Sequence, residues 1–298
     1  MAGRNGKEVA QSLVLCLVVL VGGCSSQDGS YQVPPWPPAT VDLWPKWCPA
    51  DSAKIAYTHF AETLEEVQEF GETSFWIVDI VTGEKQYVSE GTACDWSPDG
   101  NYIVFAWGGL WLIDLATGEK RSLTCEDLTC HHVMADFSPC GTKIAYVQDA
   151  EPQRGIWILD LTTTSKKWIS SHYTPDWHPD GNEILCDSLV VIREDGTRVR
   201  KIPYDPELGY PGHGRWSPDG TRIAFGGGYG DGEHGIWLIN ADGTDLRFLC
   251  HGSTPSWSPD GSMIAYTDLS VDESGSAIWI VNTDGAWKRQ ITFPGSSE

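Results

Sequence analysis

Six polar residues recur at one position of a sequence repeat, each directly before an aromatic residue. The aromatic residues are spaced by 49, 41, 40, 39 and 41 residues and are Trp47, Trp96, Phe137, Trp177, Trp216 and Trp257. The residues that precede them are Lys46, Asp95, Asp136, Asp176, Arg215 and Ser256. If the repeats close into a ring, the three acids lie on successive repeats and could bind a cation or a basic peptide arm. They could equally form an internal ion-pair network with Lys46 and Arg215.

Histidines form a second group with metal-binding chemistry. Five of them lie a few residues before a repeated aromatic residue: His131, His132, His172, His213 and His251. Neutral imidazole is a good ligand for Zn, Mn or Ni, so histidines gathered at the mouth of a central channel could hold a divalent metal. The other interpretation is that polar loops carry these histidines for solubility and hydrogen bonding.

The repeat itself predicts the fold. The phrase Trp-Ser-Pro-Asp-Gly occurs at 96–100, 216–220 and 257–261, and near-copies occur at 47–51, 137–141 and 177–181. A short apolar strand, a strand built on Ile-Trp or Leu-Trp, a Gly turn and a last strand follow in most units. Four short strands in every 40 or so residues, repeated radially, are typical of a propeller blade. We therefore predict an all-β protein, a six-bladed β-propeller of four-stranded antiparallel blades over residues 44–294, with a tail at 295–298.

The Pro-Asp-Gly phrase and the Ile-Trp strand resemble the Pro-Asp repeats of TolB and related WD-like periplasmic propellers. The resemblance implies a six-bladed propeller and a non-catalytic role in the cell envelope. TolB has an α/β domain before its propeller, whereas only a Pro-rich stretch precedes this one, so contacts made through that domain cannot be transferred. Propeller-type oligogalacturonate lyases are similar in repeat type only, and they centre a His-bound metal.

The first 43 residues predict an export signal and a linker. Arg4 and Lys7 precede a nine-residue apolar run at 13–21, which is too short to span a bilayer and is typical of a signal peptide. The run leads into Gly22-Gly23-Cys24, which resembles the bacterial lipobox. We predict a signal peptide over 1–23, lipidation of Cys24 and a Pro-rich linker over 24–43. The resemblance implies an outer-membrane lipoprotein that faces the periplasm.

Charge narrows the choice of partner. The 41 acidic and 20 basic residues give a formal net charge of −21, which disfavours nucleic acid and favours a basic protein or peptide. Loop 58–74 is the most acidic stretch and is a candidate partner-binding loop, with Glu62, Glu65, Glu66, Glu69 and Glu72. We predict contact with the membrane only through the lipid on Cys24, and a monomer.

Cysteines and catalytic motifs complete the prediction. Cys125 and Cys130 bracket one loop and are the best candidates for a local disulfide in an exported protein. The chain contains no Gly-x-Ser-x-Gly elbow and no His-Glu-x-x-His helix. The expected function is therefore that of a non-catalytic protein- or peptide-binding module of the envelope. The alternative is a metal-dependent lyase or hydrolase with a His-lined site at the channel mouth.

Overall fold

Six four-stranded antiparallel sheets make up the described part of the chain, and the predicted six-bladed propeller is confirmed. The computed structural model describes residues 41–61, 71, 73–124, 132–149, 153–228, 234–268 and 276–293, and only the backbone of residues 93, 94, 132 and 133. Each blade consists of four consecutive strands, numbered from the innermost outward. Residues 1–40, which include Cys24, lie outside the described part, and so do residues 294–298.

The strands have the following bounds. Blades 1 to 3 contain β1 (Val41–Trp47), β2 (Lys54–Phe60), β3 (Thr73–Asp79), β4 (Lys85–Glu90), β5 (Thr92–Trp96), β6 (Tyr102–Ala106), β7 (Leu110–Asp114), β8 (Lys120–Ser122), β9 (His132–Phe137), β10 (Lys143–Gln148), β11 (Gly155–Asp160) and β12 (Lys166–Ser170). Blades 4 to 6 contain β13 (Asp176–Trp177), β14 (Ile184–Cys186), β15 (Val190–Ile192), β16 (Arg198–Lys201), β17 (Gly212–Trp216), β18 (Arg222–Gly228), β19 (His234–Asn240), β20 (Arg247–His251), β21 (Ser253–Trp257), β22 (Met263–Asp268), β23 (Ala277–Asn282) and β24 (Lys288–Gln290). Two 3-10 turns lie at Asp187–Leu189 and Pro206–Leu208.

The repeated aromatic residues, called anchors below, fill the seams between blades. All six are at most 7% exposed. Each belongs to an apolar cluster that combines its own blade with the preceding one: Trp96 packs with Ala56, Phe75 and Ile77 of blade 1, for example. Trp47 closes the ring in the same way, because it packs with Ala265, Ile278 and Ile280 of blade 6. Apolar packing is therefore repeated at every seam, as a propeller requires.

The ring closes without exchange of a strand between its first and last blades. Residues 41–43 belong to β1, the innermost strand of blade 1, so blade 1 begins three residues before the predicted boundary. Val41 and Ser276 of blade 6 form one parallel bridge, at which the Asp42 amide donates to the Ser276 carbonyl at 3.1 Å. The seam between blades 6 and 1 is held by this bridge, by apolar packing and by side-chain hydrogen bonds such as that from the Trp47 amide to the Ser256 hydroxyl at 2.9 Å.

The Asp of the Pro-Asp-Gly phrase holds its own turn. In blade 2, Asp99 accepts hydrogen bonds from the Ser97 hydroxyl at 2.5 Å and the Asn101 amide at 3.1 Å. Gly100 has a φ of 72°, which glycine adopts without strain. These bonds, the Ser97 hydroxyl first, lower the pKa of Asp99. The repeated Asp is therefore a structural turn residue.

Cys140 takes the place of this Asp in blade 3. Its Sγ lies 3.4 Å from the Ser138 hydroxyl and 3.0 Å from the Thr142 hydroxyl, the partners that the carboxylate has in other blades. These two hydroxyls lower the pKa of the Cys140 thiol to about 7, whereas burial raises the pKa of the Cys48, Cys186 and Cys250 thiols. The Cys140 thiolate can thus accept hydrogen bonds from the two hydroxyls of its turn, as the Asp carboxylate does in other blades.

We expect Cys140 to react with iodoacetamide at half its maximal rate near pH 7. The exposed thiol becomes a thiolate at that pH, and the thiolate is the nucleophile. Because the pKa is lower in the folded protein than in the unfolded chain, ionisation stabilises the fold. This contribution is complete above about pH 9 and is lost as the pH falls through 7. Peptide mass spectrometry measures the rate at each cysteine, and Cys250 is the internal control. A half-maximal rate near pH 9 at Cys140 would show that the two hydroxyls do not act on the thiol.

Candidate functional site

A repeated bulge in the innermost strands directs six side chains toward the centre of the propeller. The register shifts between Leu43 and Lys46 in blade 1, for example, and at the same place in four other blades. The residue three positions before the anchor has a left-handed φ of 52–55° in five blades: Trp44, Met134, Thr174, His213 and Thr254. Bulges change the direction of a side chain, and here the affected residues are the ones before the anchors.

These six residues, Lys46, Asp95, Asp136, Asp176, Arg215 and Ser256, are called the ring residues. Four of them accept a hydrogen bond from the anchor amide of the next blade. Asp95 accepts from the Phe137 amide at 2.8 Å, and Asp136 and Asp176 accept from the Trp177 and Trp216 amides at 2.7 Å each. At the closing seam the acceptor is the Ser256 hydroxyl, which takes the Trp47 amide at 2.9 Å. The ring residues therefore connect blade to blade.

The two basic ring residues neutralise the acids. Lys46 Nζ lies 3.7 Å from Asp95 Oδ1 and 3.9 Å from Asp136 Oδ1, so it reaches across two seams. Arg215 Nη1 lies 3.3 Å from Asp176 Oδ1 and donates to the Pro175 carbonyl at 3.1 Å. Their five charged side chains are only 10–18% exposed. These contacts fit the internal ion-pair network rather than an open site for a cation.

The ring contains three acids and two bases, so one negative charge has no basic counterpart. Burial raises the pKa of Asp136 well above its ordinary value, and the neighbouring Asp95 and Asp176 raise it further. Burial also raises the pKa of Asp176, although Arg215 and Lys46 oppose this. Burial would lower the pKa of Arg215, but Asp176, Asp136 and Asp95 outweigh it and the pKa rises. Asp136 is thus the carboxylate whose charge is least favoured.

Three of the histidines predicted to bind metal, His172, His213 and His251, have described side chains. Burial, with Arg215 and Lys46, lowers the pKa of His213 to about 4, so this imidazole is neutral near pH 7. The His251 ring lies against Phe248, with centroids 5.1 Å apart. Within the described ranges, no three His, Cys, Asp or Glu side chains are grouped so that they could hold a metal ion. His131 and the His132 side chain lie outside those ranges, so the metal site stays a prediction.

His172 belongs to a polar cluster around the largely buried carboxylate of Asp187, which the sequence pattern did not reveal. Its Nδ1 lies 3.1 Å from Asp187 Oδ1, which also accepts from the Tyr173 amide at 2.7 Å. The Tyr210 hydroxyl donates to the other carboxylate oxygen. Burial raises the pKa of Asp187, but these three hydrogen bonds outweigh burial and the pKa is lowered. The cluster ties the turn between β14 and β15 to the segment that enters blade 5.

Other predicted functional residues lie outside the described residues. Glu62, Glu65, Glu66, Glu69 and Glu72 fall between β2 and β3, where Phe60 and Thr73 are still in strands. The Cys125 and Cys130 pair falls between β8 and β9. The partner-binding loop, the disulfide and the lipidation of Cys24 therefore stay predictions. Among the described residues, no helix is long and apolar enough to cross a membrane.

The end of the propeller at which the chain passes from blade to blade is called the loop end, and the opposite end is the turn end. Among the described residues, two exposed aromatic side chains lie at the loop end: Trp107 (47% exposed) between β6 and β7, and Tyr210 (67%) before β17. Trp107 is held by its own blade, because its carbonyl accepts from the Trp111 indole at 3.1 Å. Rigid exposed aromatic side chains are frequent anchors of protein interfaces.

Solved structures of other proteins have the same architecture as this chain. Over 92% of this chain and 86% of the other, the structure is similar to that of TolB from Acinetobacter baumannii, with a TM-score of 0.67 and 16% identity. The fold is that of the six-bladed TolB-like propellers. An oligogalacturonate lyase in complex with manganese is similar over 86% of this chain and 78% of its own, with a TM-score of 0.58 and 17% identity. Regucalcin from Agrobacterium tumefaciens, a calcium-binding protein, is similar over 79% and 85%, with a TM-score of 0.55 and 15% identity.

These likenesses concern the fold alone, because every identity is low. No protein-family model matches the sequence, and no curated protein matches it either. The structures similar to this chain include both TolB and an oligogalacturonate lyase, so the fold alone does not decide between a binding module and an enzyme.

Proposed function

We propose that the protein is a non-catalytic binding module of the cell envelope, and that its loop end binds a basic protein or peptide. The observation that carries the proposal is the distribution of charge between the two ends of the propeller.

The segments that join strands at the loop end hold almost no basic residue. They contain sixteen Asp or Glu residues and one basic residue, Arg154, which lies 3.7 Å from Asp149. The sixteen acids are Glu62, Glu65, Glu66, Glu69, Glu72, Glu126, Asp127, Asp149, Glu151, Asp187, Asp205, Glu207, Asp231, Glu233, Asp272 and Glu273. A surface with one sign of charge attracts the opposite sign over about 10 Å and speeds association.

The basic residues lie elsewhere. Eleven of the 20 Lys and Arg residues are on the outermost strand of a blade: Lys85, Lys120, Arg121, Lys166, Lys167, Arg198, Arg200, Lys201, Arg247, Lys288 and Arg289. The turn-end segments also hold thirteen Asp or Glu residues and one basic residue, Arg193, but bases of the adjoining strands pair with several of these acids. Lys54 lies 3.0 Å from Asp51, Lys143 lies 2.7 Å from Glu194 and Arg200 lies 2.7 Å from Glu183. Among the described loop-end acids, only Asp149 lies within 4 Å of a Lys or Arg, so the negative charge of the loop end is less compensated.

Exposed aromatic residues at the same end suit a basic partner. Trp107 and Tyr210 can contact both the aliphatic stem of a Lys or Arg side chain and its cation, which an aromatic face attracts. Acids with interspersed aromatics are complementary to a segment with interspersed bases and apolar residues.

The place of action is proposed from the sequence. The apolar run at 13–21 and the Gly22-Gly23-Cys24 motif support export and lipid attachment at Cys24. An acylated Cys24 would hold the propeller at a membrane through residues 25–40, and we propose the outer membrane with the propeller in the periplasm.

Binding of a defined basic peptide tests the proposal. The probe is a ten-residue peptide of alternating Lys and Ala, and its dissociation constant is measured by calorimetry. Changing Glu65, Glu66 and Glu69 together to Gln is expected to weaken binding at least threefold, because three loop-end charges are lost. The matched control changes Glu84, Glu119 and Asp245 at the turn end to Gln, Gln and Asn, and is expected to alter binding by less than a factor of two. Both variants change the net charge equally.

Equal weakening by the two triple variants would contradict the proposal, since it would show that only total charge matters. Elemental analysis of the same preparation measures bound metal and so tests the alternative function, a metal-dependent lyase or hydrolase. One equivalent of Zn, Mn or Ni, lost when His172 and His213 are changed to Ala, together with no peptide binding, would favour a metal-dependent enzyme.

A further inference from the structure

A cleft of about 220 Å³ lies at the seam between blades 6 and 1, apart from the loop end. One wall is the end of β3 with the turn that follows, residues 78–83. The other wall is β24 with the residues after it, residues 289–291 and Phe293. Two apolar side chains at the cleft are far more exposed than is usual, Val81 at 79% and Phe293 at 54%. Exposed apolar surface around a cleft is typical of a binding site.

The space beside the turn glycine is filled at three seams and open at two, of which this seam is one. In blades 4 and 5, a Cβ added at the turn glycine Gly196 or Gly243 would lie 2.4 Å from Ile169 O or from Pro203 Cγ of the preceding blade. In blade 6, Gly285 lies close to Leu249 of blade 5. A Cβ at Gly83 of blade 1 would meet nothing within 4 Å, and the same holds for Gly118 of blade 2. The space beside Gly83 is the cleft.

Arg289 gives the cleft a fixed positive charge. Its Nη2 donates to the Ile80 carbonyl at 2.8 Å, which holds the guanidinium against the opposite wall. Among the described Asp and Glu residues, none forms an ion pair with it. A guanidinium has five N–H groups and binds a carboxylate in a bidentate manner, so donors remain for a ligand.

Asp79 is the charged group that opposes an anion in the cleft. Its Oδ1 accepts from the Val81 amide at 2.8 Å and the Thr82 amide at 2.9 Å, within its own turn. The Thr82 and Val81 amides lower its pKa, so it is ionised at neutral pH. A ligand carboxylate is therefore attracted by Arg289 and repelled by Asp79.

We propose that this cleft binds the C-terminus of a partner polypeptide that ends in an apolar residue such as Leu. The volume accommodates one large side chain, and the guanidinium belongs to the wall of the same cleft. A ligand must therefore present an apolar group and a carboxylate within a few ångströms of each other. A C-terminal residue carries both on one Cα, and capture of a C-terminal carboxylate is a known mode of peptide recognition.

The test is a titration of the purified protein with two fragments that differ only in charge. N-acetyl-leucine has the carboxylate, and N-acetyl-leucinamide has a neutral amide in its place. NMR shifts of the Val81, Thr82 and Ile291 amides are followed, and we expect saturation with the acid at concentrations at which the amide gives less than a third of the effect. Arg289→Met is expected to weaken binding of the acid about three- to tenfold. Asp79→Asn keeps an oxygen acceptor for the turn and is expected to strengthen binding.

Equal shifts with the acid and the amide, or unchanged binding in Arg289→Met, would overturn the proposal. The control is Arg247→Met, which removes an outer-strand guanidinium that donates to the Thr283 carbonyl at 2.7 Å, outside the cleft. A C-terminally amidated tetrapeptide with Leu beside Asp distinguishes a side-chain carboxylate from a C-terminus. Binding of this peptide as tight as that of N-acetyl-leucine would overturn the assignment to a C-terminus.

Discussion

Changing Arg215 to Met is expected to lower the free energy of unfolding by about 3–5 kcal/mol at pH 7. Arg215 is one of only two cations in the ring, and its side chain is 14% exposed. Met fills similar space but leaves Asp176 with no basic partner in contact, and Lys46 reaches only Asp95 and Asp136. Breaking a buried pair from one side costs more than the pair contributes, because the remaining charge stays buried.

Denaturant unfolding at pH 7 measures this loss, and a double variant identifies its cause. Arg215→Met with Asp176→Asn removes both charges and is expected to regain more than half of the stability lost. The Asn oxygen can still accept the Trp216 amide, which Asp176 binds at 2.7 Å. The matched control is Arg222→Met in the same blade, whose guanidinium lies 5.0 Å from the Trp257 ring and is expected to contribute less than about 1 kcal/mol. A loss for Arg215→Met no larger than for this control would show that the ring charges do not stabilise the fold.

The repeat pattern was sufficient to predict the blades. Aromatic spacing located every seam, and the Asp-Gly and Pro-Asp-Gly phrases located the turns. Both signals are local, since a turn with positive φ needs Gly and an anchor needs a large apolar side chain at one register. The same spacing puts Asp95, Asp136 and Asp176 at one register of successive blades, and in the structure Lys46 contacts the first two.

The bulge that directs these acids inward was not predicted, although a signal for it exists. Pro45, Pro175 and Pro255 each lie two residues before an anchor. Proline lacks an amide hydrogen, so inside strands it is confined to edges and bulges. The repeated proline would have indicated a bulge in the innermost strand.

The His172–Asp187–Tyr210 cluster and the cleft at blade 1 could not be predicted in the same way. Residues of the cluster come from three separate segments, and no periodicity relates them. The cleft depends on what a seam lacks, namely a side chain beside Gly83, and sequence alone does not show which seams are filled.

Asp136 is both a hydrogen-bond acceptor and a buried charge, and two variants distinguish these roles. Asp136→Ala is expected to lower the free energy of unfolding by about 2–4 kcal/mol, because it leaves the buried Trp177 amide without its acceptor at 2.7 Å and opens a small cavity. Asp136→Asn keeps an acceptor oxygen and removes the charge. It is expected to be at least as stable as the wild type at pH 7.5.

The pH dependence follows from the raised pKa of Asp136. Burial, with Asp95 and Asp176, holds this pKa above that of the unfolded chain, so the stabilising contribution of Asp136 is fully present only below the unfolded pKa. It is lost as the pH rises through the folded pKa. The wild type should therefore lose stability relative to Asp136→Asn between pH 4 and pH 7.5, and chemical unfolding at these two values measures the difference. Equal losses in the Asn and Ala variants, independent of pH, would mean that the carboxylate charge itself stabilises the ring, and Lys46, at 3.9 Å, would then be its effective partner.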